Sequence, residues 1–161
     1  MSIEKVRKEF RQLGIADRII EFTVSSATVA LAAQALNTAE ARIAKTLSFK
    51  VGEQPILIVT AGDAKIDNAK YKAFFGTKAK MLAFDEVEPL IGHAVGGVCP
   101  FAVNDNVKVY LDVTMKRFNT VFPAAGSDNS AIEMTMADLE KYSGYIEWVD
   151  VCKLPEPQNG E

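Results

Sequence analysis

Apolar positions along the chain follow two periods. Ile3, Val6, Phe10 and Leu13 recur at helical spacing and Gly14 closes the run, which predicts an amphipathic first helix. Residues 19–24 read as a short strand. Ser26 stands where it can cap a helix through 28–36, which Asn37-Thr38 breaks. Residues 43–51 and 55–60 read as two strands with a hairpin at Gly52-Glu53-Gln54. Within the second, Ile56-Leu57-Ile58-Val59 is apolar without alternation, as a strand covered on both faces should be. Residues 67–75 suit a helix closed by Gly76, and 80–84 a short strand. Asp85 with Glu88 resembles a capping box and starts a helix leading to Leu90. Residues 107–111 and 119–122 read as strands, as does 131–134. Thr135 then caps a helix over 136–142 that Gly144 ends, and 145–151 is a last strand. The sum is a single α+β (α/β-type) domain over residues 1–154, a mixed sheet of six or seven strands flanked by helices. The polar, proline-bearing remainder, 155–161, is expected to be a disordered tail.

The strand at 43–51 contains an anomaly. Side chains alternate between the faces of a strand, so Ile43, Lys45, Leu47, Phe49 and Val51 share one side, and Ala44, Thr46, Ser48 and Lys50 the other. Lys45 therefore lies on the apolar side. An ammonium placed there must pair with an interior acid, lose its proton, meet a ligand, or reach water along its stem. Lys50, on the polar side, is the ordinary case.

A second anomaly is the segment from Gly92 to Phe101, in which Gly92, Gly96, Gly97 and Pro100 interrupt a mostly apolar run. Glycine allows close backbone approach and positive φ, and proline fixes its own φ and removes a donor. Such a loop offers peptide N–H groups to a carbonyl or an oxyanion. The bland reading is a tight connection between buried elements.

Composition narrows the classes. Lys and Arg total 18 against 21 Asp and Glu, a formal net charge of -3, so any nucleic-acid contact should be local rather than a coating of duplex. Lys65, Lys70, Lys72, Lys78 and Lys80 cluster around the 67–75 helix, either as a solvated face or as an attractor of phosphate. Two cysteines, Cys99 and Cys152, form no CxxC pair, and a lone histidine, His93, makes a Cys/His zinc cage a poor reading. Neither a metal nor an organic cofactor is called for. No signal-peptide h-region and no apolar run near the ~20 residues of a membrane span is present, which leads to the expectation of a reduced, cytoplasmic protein.

Three features coincide: Ala44-Lys45-Thr46-Leu47 inside a strand, a loop of the form GxxxGxxxPF, and an Ala125-Gly126-Ser127 turn before Ile132-Glu133-Met134. In this order and spacing they resemble the YbaK/prolyl-tRNA-synthetase-associated domain family, over nearly the whole chain. The resemblance implies a strongly bent mixed sheet and a free-standing aminoacyl-tRNA deacylase. Its reaction would be hydrolysis of the ester of a mischarged tRNA, tRNA(Pro) carrying a small residue such as cysteine or alanine. Lys45 matches the family's site lysine. Gly96, Gly97, Val98, Pro100 and Phe101 fall in its glycine-rich loop, and Gly126 and Ser127 in the turn that closes the pocket. Phe22, Thr28 and Thr46 stand where the amino acid would be lined. Ala131 departs from members that carry an acid there.

On this reading Lys45, Gly96 and Gly97 are the catalytic positions and the remaining eight the substrate contacts. Peptide N–H groups from Gly96 to Cys99 hold the developing oxyanion, and Lys45 supplies a fixed charge near the ester or the terminal phosphate. The partners implied are the 3′ end of an aminoacyl-tRNA and prolyl-tRNA synthetase, with no membrane and a monomer or homodimer. Two other readings stand beside it. One is a thiol hydrolase using Cys99 with His93, the other a module that binds tRNA or a synthetase without hydrolysis.

Overall fold

The computed structural model describes residues 2–155. Of the expected tail, 156–161 lie outside the described residues. The helices are α1 (Ser2–Leu13), α2 (Val29–Leu36), α3 (Asn68–Phe75), α4 (Phe84–Ile91) and α5 (Met136–Tyr142). The strands are β1 (Ile20–Glu21), β2 (Ile43–Val51), β3 (Gln54–Ala61), β4 (Lys65–Ile66), β5 (Lys108–Asp112), β6 (Thr120–Pro123), β7 (Ser130–Ala131), β8 (Met134–Thr135), β9 (Tyr145–Val149) and β10 (Cys152–Lys153). Six strands form one mixed sheet in the order β8-β6-β2-β3-β5-β9, and β1-β7 and β10-β4 make two small antiparallel ribbons. The β2-β3 hairpin is antiparallel, with Lys45 opposite Thr60 and Phe49 opposite Ile56. The β6-β2, β3-β5 and β5-β9 pairs are parallel.

This is the expected mixed α+β domain with a curled sheet. β3 lies at its centre, and Ile56 to Val59 are buried without alternation because elements cover both faces. Val6 and Phe10 of α1 are fully buried, and the Phe10 ring meets Phe101 edge-on at 5.0 Å. α3 is set as expected, its cap Asp67 accepting the Lys70 N–H and Gly76 closing it at φ +80°. α5 begins at Thr135, whose hydroxyl accepts the Asp138 N–H.

Several local expectations are corrected. The 19–24 strand shrinks to Ile20–Glu21, because its partner β7 is itself two residues long. The cap of α2 is Thr28, not Ser26: Thr28 Oγ1 accepts the Leu31 N–H at 3.1 Å, while the Ser26 N–H donates to the Asp128 carbonyl. The 80–84 strand is reduced to a single bridge between Met81 and Phe49, and Phe84 already belongs to α4. That helix is closed by the Glu86 carboxylate on the Ala83 N–H rather than by Asp85 and Glu88. The 131–134 strand splits at Ile132-Glu133 into β7 and β8, which join different sheets. The 145–151 strand ends at Val149, because the Val151 N–H turns to the buried Asp112 carboxylate. No helix among the described residues is long and apolar enough to cross a membrane.

Candidate active site

The strict alternation expected of β2 is not observed. Ile43 and Ala44 at one end, and Ser48 and Phe49 near the other, are buried, while Lys45, Thr46 and Leu47 between them are only half-buried. The cause is a gap in the sheet. On the edge away from β3, β6 pairs with β2 only at Ile43 and Ala44. Pairing resumes where the Leu82 N–H donates to the Ser48 carbonyl and the Lys50 N–H to the Lys80 carbonyl. These two bonds mark the even residues as those whose peptide groups face outward, so the peptide edge of Thr46 faces the gap.

A cavity of about 470 Å³ occupies this gap. Its floor is β2 from Ile43 to Ser48. One wall is the start of α2, with Thr28, Val29 and Ala32, and another is Val95, Gly96 and Val98 of the glycine-rich loop. Phe122, Ala124, Ser130 and Ala131 close the far side, and Met81, Leu82, Phe84 and Val87 form the rim. Gly62 sets the α2 wall: a Cβ there would lie 2.0 Å from the Glu40 carbonyl oxygen and 2.9 Å from Val29 Cγ1. The loop wall is set by Gly97, where a Cβ would lie 2.8 Å from the Gly126 carbonyl. Gly96 sits at φ +96°, a conformation that favours glycine. Its backbone passes between Ala27 and Asp128, whose Cβ atoms a Gly96 Cβ would meet at 3.7 and 3.4 Å.

Two polar groups on the cavity floor have no partner. Lys45 makes no hydrogen bond or ion pair among the described residues, and burial lowers its ammonium pKa. Asp63 and the Cys152 thiol oppose that shift. Asp63, however, is held by both guanidinium nitrogens of Arg117, at 2.6 and 3.1 Å. Cys152 is a neutral thiol, its pKa pushed up to about 12 chiefly by burial. The interior acid that would have made Lys45 an ordinary structural lysine is thus engaged elsewhere. Beside it, Thr46 Oγ1 is buried with no hydrogen-bond partner. An unsatisfied buried hydroxyl costs about 1–3 kcal/mol unless a ligand or water meets it.

Of the residues expected at a site, the fold brings Lys45, Thr46, Thr28, Gly96 and Val98 to one cavity. Gly97, Gly126 and Ser127 stand behind it. The Gly97 N–H already donates to the Ala94 carbonyl at 3.0 Å, so it is not free to hold an oxyanion. Gly126 provides the close backbone contact to Gly97, and the Ser127 hydroxyl lies 2.7 Å from that of Ser130. Phe22, Pro100 and Phe101 do not line the cavity. Phe22 is tied by its backbone to Asn129, Pro100 lines a separate shallow hollow, and Phe101 is fully buried in the core. Met81, Phe84, Val87 and Phe122, which do line it, come from distant segments with no local signature in the sequence.

Cys99 and His93 are both fully buried. His93 Nε2 lies 2.6 Å from the Phe101 carbonyl, so that nitrogen donates and is not available as a base towards Cys99, 3.5 Å away. Burial pushes the Cys99 thiol up to about 12 and lowers the His93 pKa, so both groups are neutral at ordinary pH. This geometry does not suit nucleophilic catalysis. The lysines around α3 are exposed, and Lys70 is paired with Asp150 at 3.1 Å, as on a solvated face.

Comparison with known proteins gives one family. A family model of the aminoacyl-tRNA editing domain matches residues 23–142. An uncharacterised Bacillus subtilis (strain 168) protein, YwhH, is 53% identical over 154 residues, covering 95% of this chain and 98% of that protein. A proline–tRNA ligase of Staphylococcus aureus (strain Newman) is 32% identical over 87 residues, and the match covers 53% of this chain and 15% of the ligase. Among solved structures, a candidate trans-editing enzyme for prolyl tRNA synthetase superposes with TM-score 0.84 at 25% identity, over 94% of this chain and 97% of that one.

Proposed function

The chain belongs to the aminoacyl-tRNA editing domain family, and from that premise we propose that it is a trans-editing deacylase. Its reaction is hydrolysis of the ester of a mischarged tRNA, with tRNA(Pro) carrying alanine or cysteine as the substrate class. The observation that carries this reading is the cavity floor. A half-buried lysine and a buried hydroxyl, neither with a partner among the described residues, face a mostly apolar space beside a strand edge.

The chemistry asks little of side chains, because an aminoacyl ester is already activated. Water oxygen attacks the ester carbonyl carbon, the carbonyl oxygen becomes an oxyanion, and the bond to the ribose oxygen then breaks. That ribose oxygen takes up a proton, releasing a free hydroxyl on the tRNA and the amino acid. The Lys45 ammonium stabilises the negative charge as it develops, and partial burial strengthens its field. The open peptide edge and hydroxyl of Thr46 hold polar atoms of the aminoacyl group. The Gly96 backbone replaces Gly97 as the loop's contribution. Selection between amino acids rests on the apolar walls, where one methylene is worth only about 1–3 kcal/mol. Ala131 leaves its wall apolar, which favours a small uncharged side chain.

The test is a panel of tRNAs charged with alanine, cysteine, serine and proline. Ester loss is expected with alanine or cysteine on tRNA(Pro) and not with proline. A panel in which no ester is lost, while the tRNA still binds, would replace hydrolysis by binding alone.

A further inference from the structure

Phe84 has no role in holding the fold. It is 80% exposed, more than any other large apolar residue described, and its ring meets no other aromatic ring or cation among those residues. The start of α4 is satisfied without it. Glu86 caps the Ala83 N–H, and Leu82 and Val87, both buried, occupy the two positions of a hydrophobic staple across the helix start. Yet Phe84 lines the cavity mouth, and the two other exposed large apolar residues that line the cavity are Met81 (58%) on the same rim and Val95 (48%) on the loop wall. Exposed Lys80 precedes Met81 in sequence, while its neighbour Glu86 is already paired with Lys50.

We infer that Phe84, supported by Met81, is the platform on which the 3′-terminal base of the tRNA stacks while its aminoacyl group enters the cavity. The inference rests on the deacylase reading and names a residue for it. A flat apolar ring at the rim, with a cation on the adjoining segment and a polar floor behind it, matches the order base, phosphate and ester at the end of a charged strand. Stacking suits this position because any base offers a π-face, whereas hydrogen-bond reading would need fixed polar groups at the rim. Phe84 is a positioning residue: it acts on binding and leaves the ester chemistry to the floor.

The experiment has two arms. In the first, KM and kcat for deacylation of Ala-tRNA(Pro) are measured for the wild type, Phe84→Ala and Phe84→Trp. Phe84→Ala should raise KM about 5- to 100-fold with kcat within about threefold, and Phe84→Trp should restore KM. In the second, calorimetry compares uncharged CCA trinucleotide with the same molecule lacking its terminal base. The wild type should lose affinity with the base by a similar factor, and Phe84→Ala should not distinguish the two. Hydrolysis by the wild type with a KM indifferent to Phe84 overturns the inference and leaves the deacylase reading standing. Base-dependent CCA binding through Phe84 without hydrolysis of any charged tRNA does the reverse. Sedimentation showing a wild-type dimer that Phe84→Ala dissociates, with CCA affinity unchanged, would make the ring a self-contact and also overturn it.

Discussion

The two ends of β2 carry the same residue type under opposite conditions. At Lys50 the outer edge of the strand is closed. Lys80 and Leu82 bond across it, and the ammonium pairs with Glu86, which raises its pKa through that hydrogen bond. At Lys45 the edge is open, nothing among the described residues pairs with the ammonium, and burial lowers its pKa. One lysine is where a folding problem has been solved, and the other is where it has been left for a ligand. Burial of the stem alone does not separate them, since both are partly covered; the missing partner does. Residues that a fold leaves unsatisfied beside a cavity are where function is to be sought.

The largest break in this comparison is Lys45→Met. Deacylation should fall by about 10²–10³-fold, the range seen when one group stabilising an oxyanion is lost. Melting temperature should hold or rise, because an unpaired, half-buried cation is replaced by an apolar chain of similar length. Full activity in a folded Lys45→Met protein would remove the floor from the mechanism. Lys50→Met is the control: kcat/KM within about twofold of the wild type, with a small fall in Tm.

Gly97→Ala tests whether the loop wall must stay where it is. The new Cβ would press on the Gly126 carbonyl at 2.8 Å, backbone against backbone, so loop and turn must part. A loss of about 1–3 kcal/mol in stability is expected from overpacking, together with reduced activity as the Gly96 wall shifts. Urea unfolding read beside the deacylase assay measures both. Unchanged stability would show that the two segments are free to separate.

Much of this arrangement can be read from the chain. α1 was written twice, in a helical period and in the glycine that stops it; α3 and α5 were legible in the residues that cap or close them, and β2 and β3 in two apolar runs with a turn between. Lys45 was legible because alternation made it conspicuous. What could not be read depended on partners distant in sequence. The 80–84 segment has the composition of a strand, but it meets β2 only around Phe49, through one bridge and the bonds of Lys80 and Leu82 to Lys50 and Ser48, and Phe84 turns into a helix. Pro100 and Phe101 carried the loop motif towards the site, yet Phe101 finds Phe10 in the core, and the loop reaches the cavity through Val95, Gly96 and Val98. The gap over Thr46 exists because β6 leaves β2 after Ala44, a consequence of topology with no local sequence mark.

The smallest effect is also the one that separates the two lysines most directly, through the pH dependence of stability. Lys45 has its pKa lowered in the folded protein, so the unfolded chain binds the proton more tightly between that lowered value and the ordinary 10.5. The folded state therefore carries a penalty at neutral pH that fades as pH climbs towards 10.5. Lys50 has its pKa raised, so its contribution is fully present below 10.5 and is lost only as pH rises through the folded value. On the acid side, Lys50 lowers the pKa of Glu86, and the pair weakens as pH falls from the ordinary carboxylate value of 4.5 through that depressed value. Thermal melts of the two methionine variants, each subtracted from the wild type, should then run in opposite senses. The Lys45→Met difference should favour the variant at pH 7 and close towards pH 10.5. The Lys50→Met difference should favour the wild type across neutral pH and close below pH 4.5. Two differences with the same sign at pH 7 would mean that Lys45 has a structural partner after all, and that the open end of β2 is as settled as the closed one.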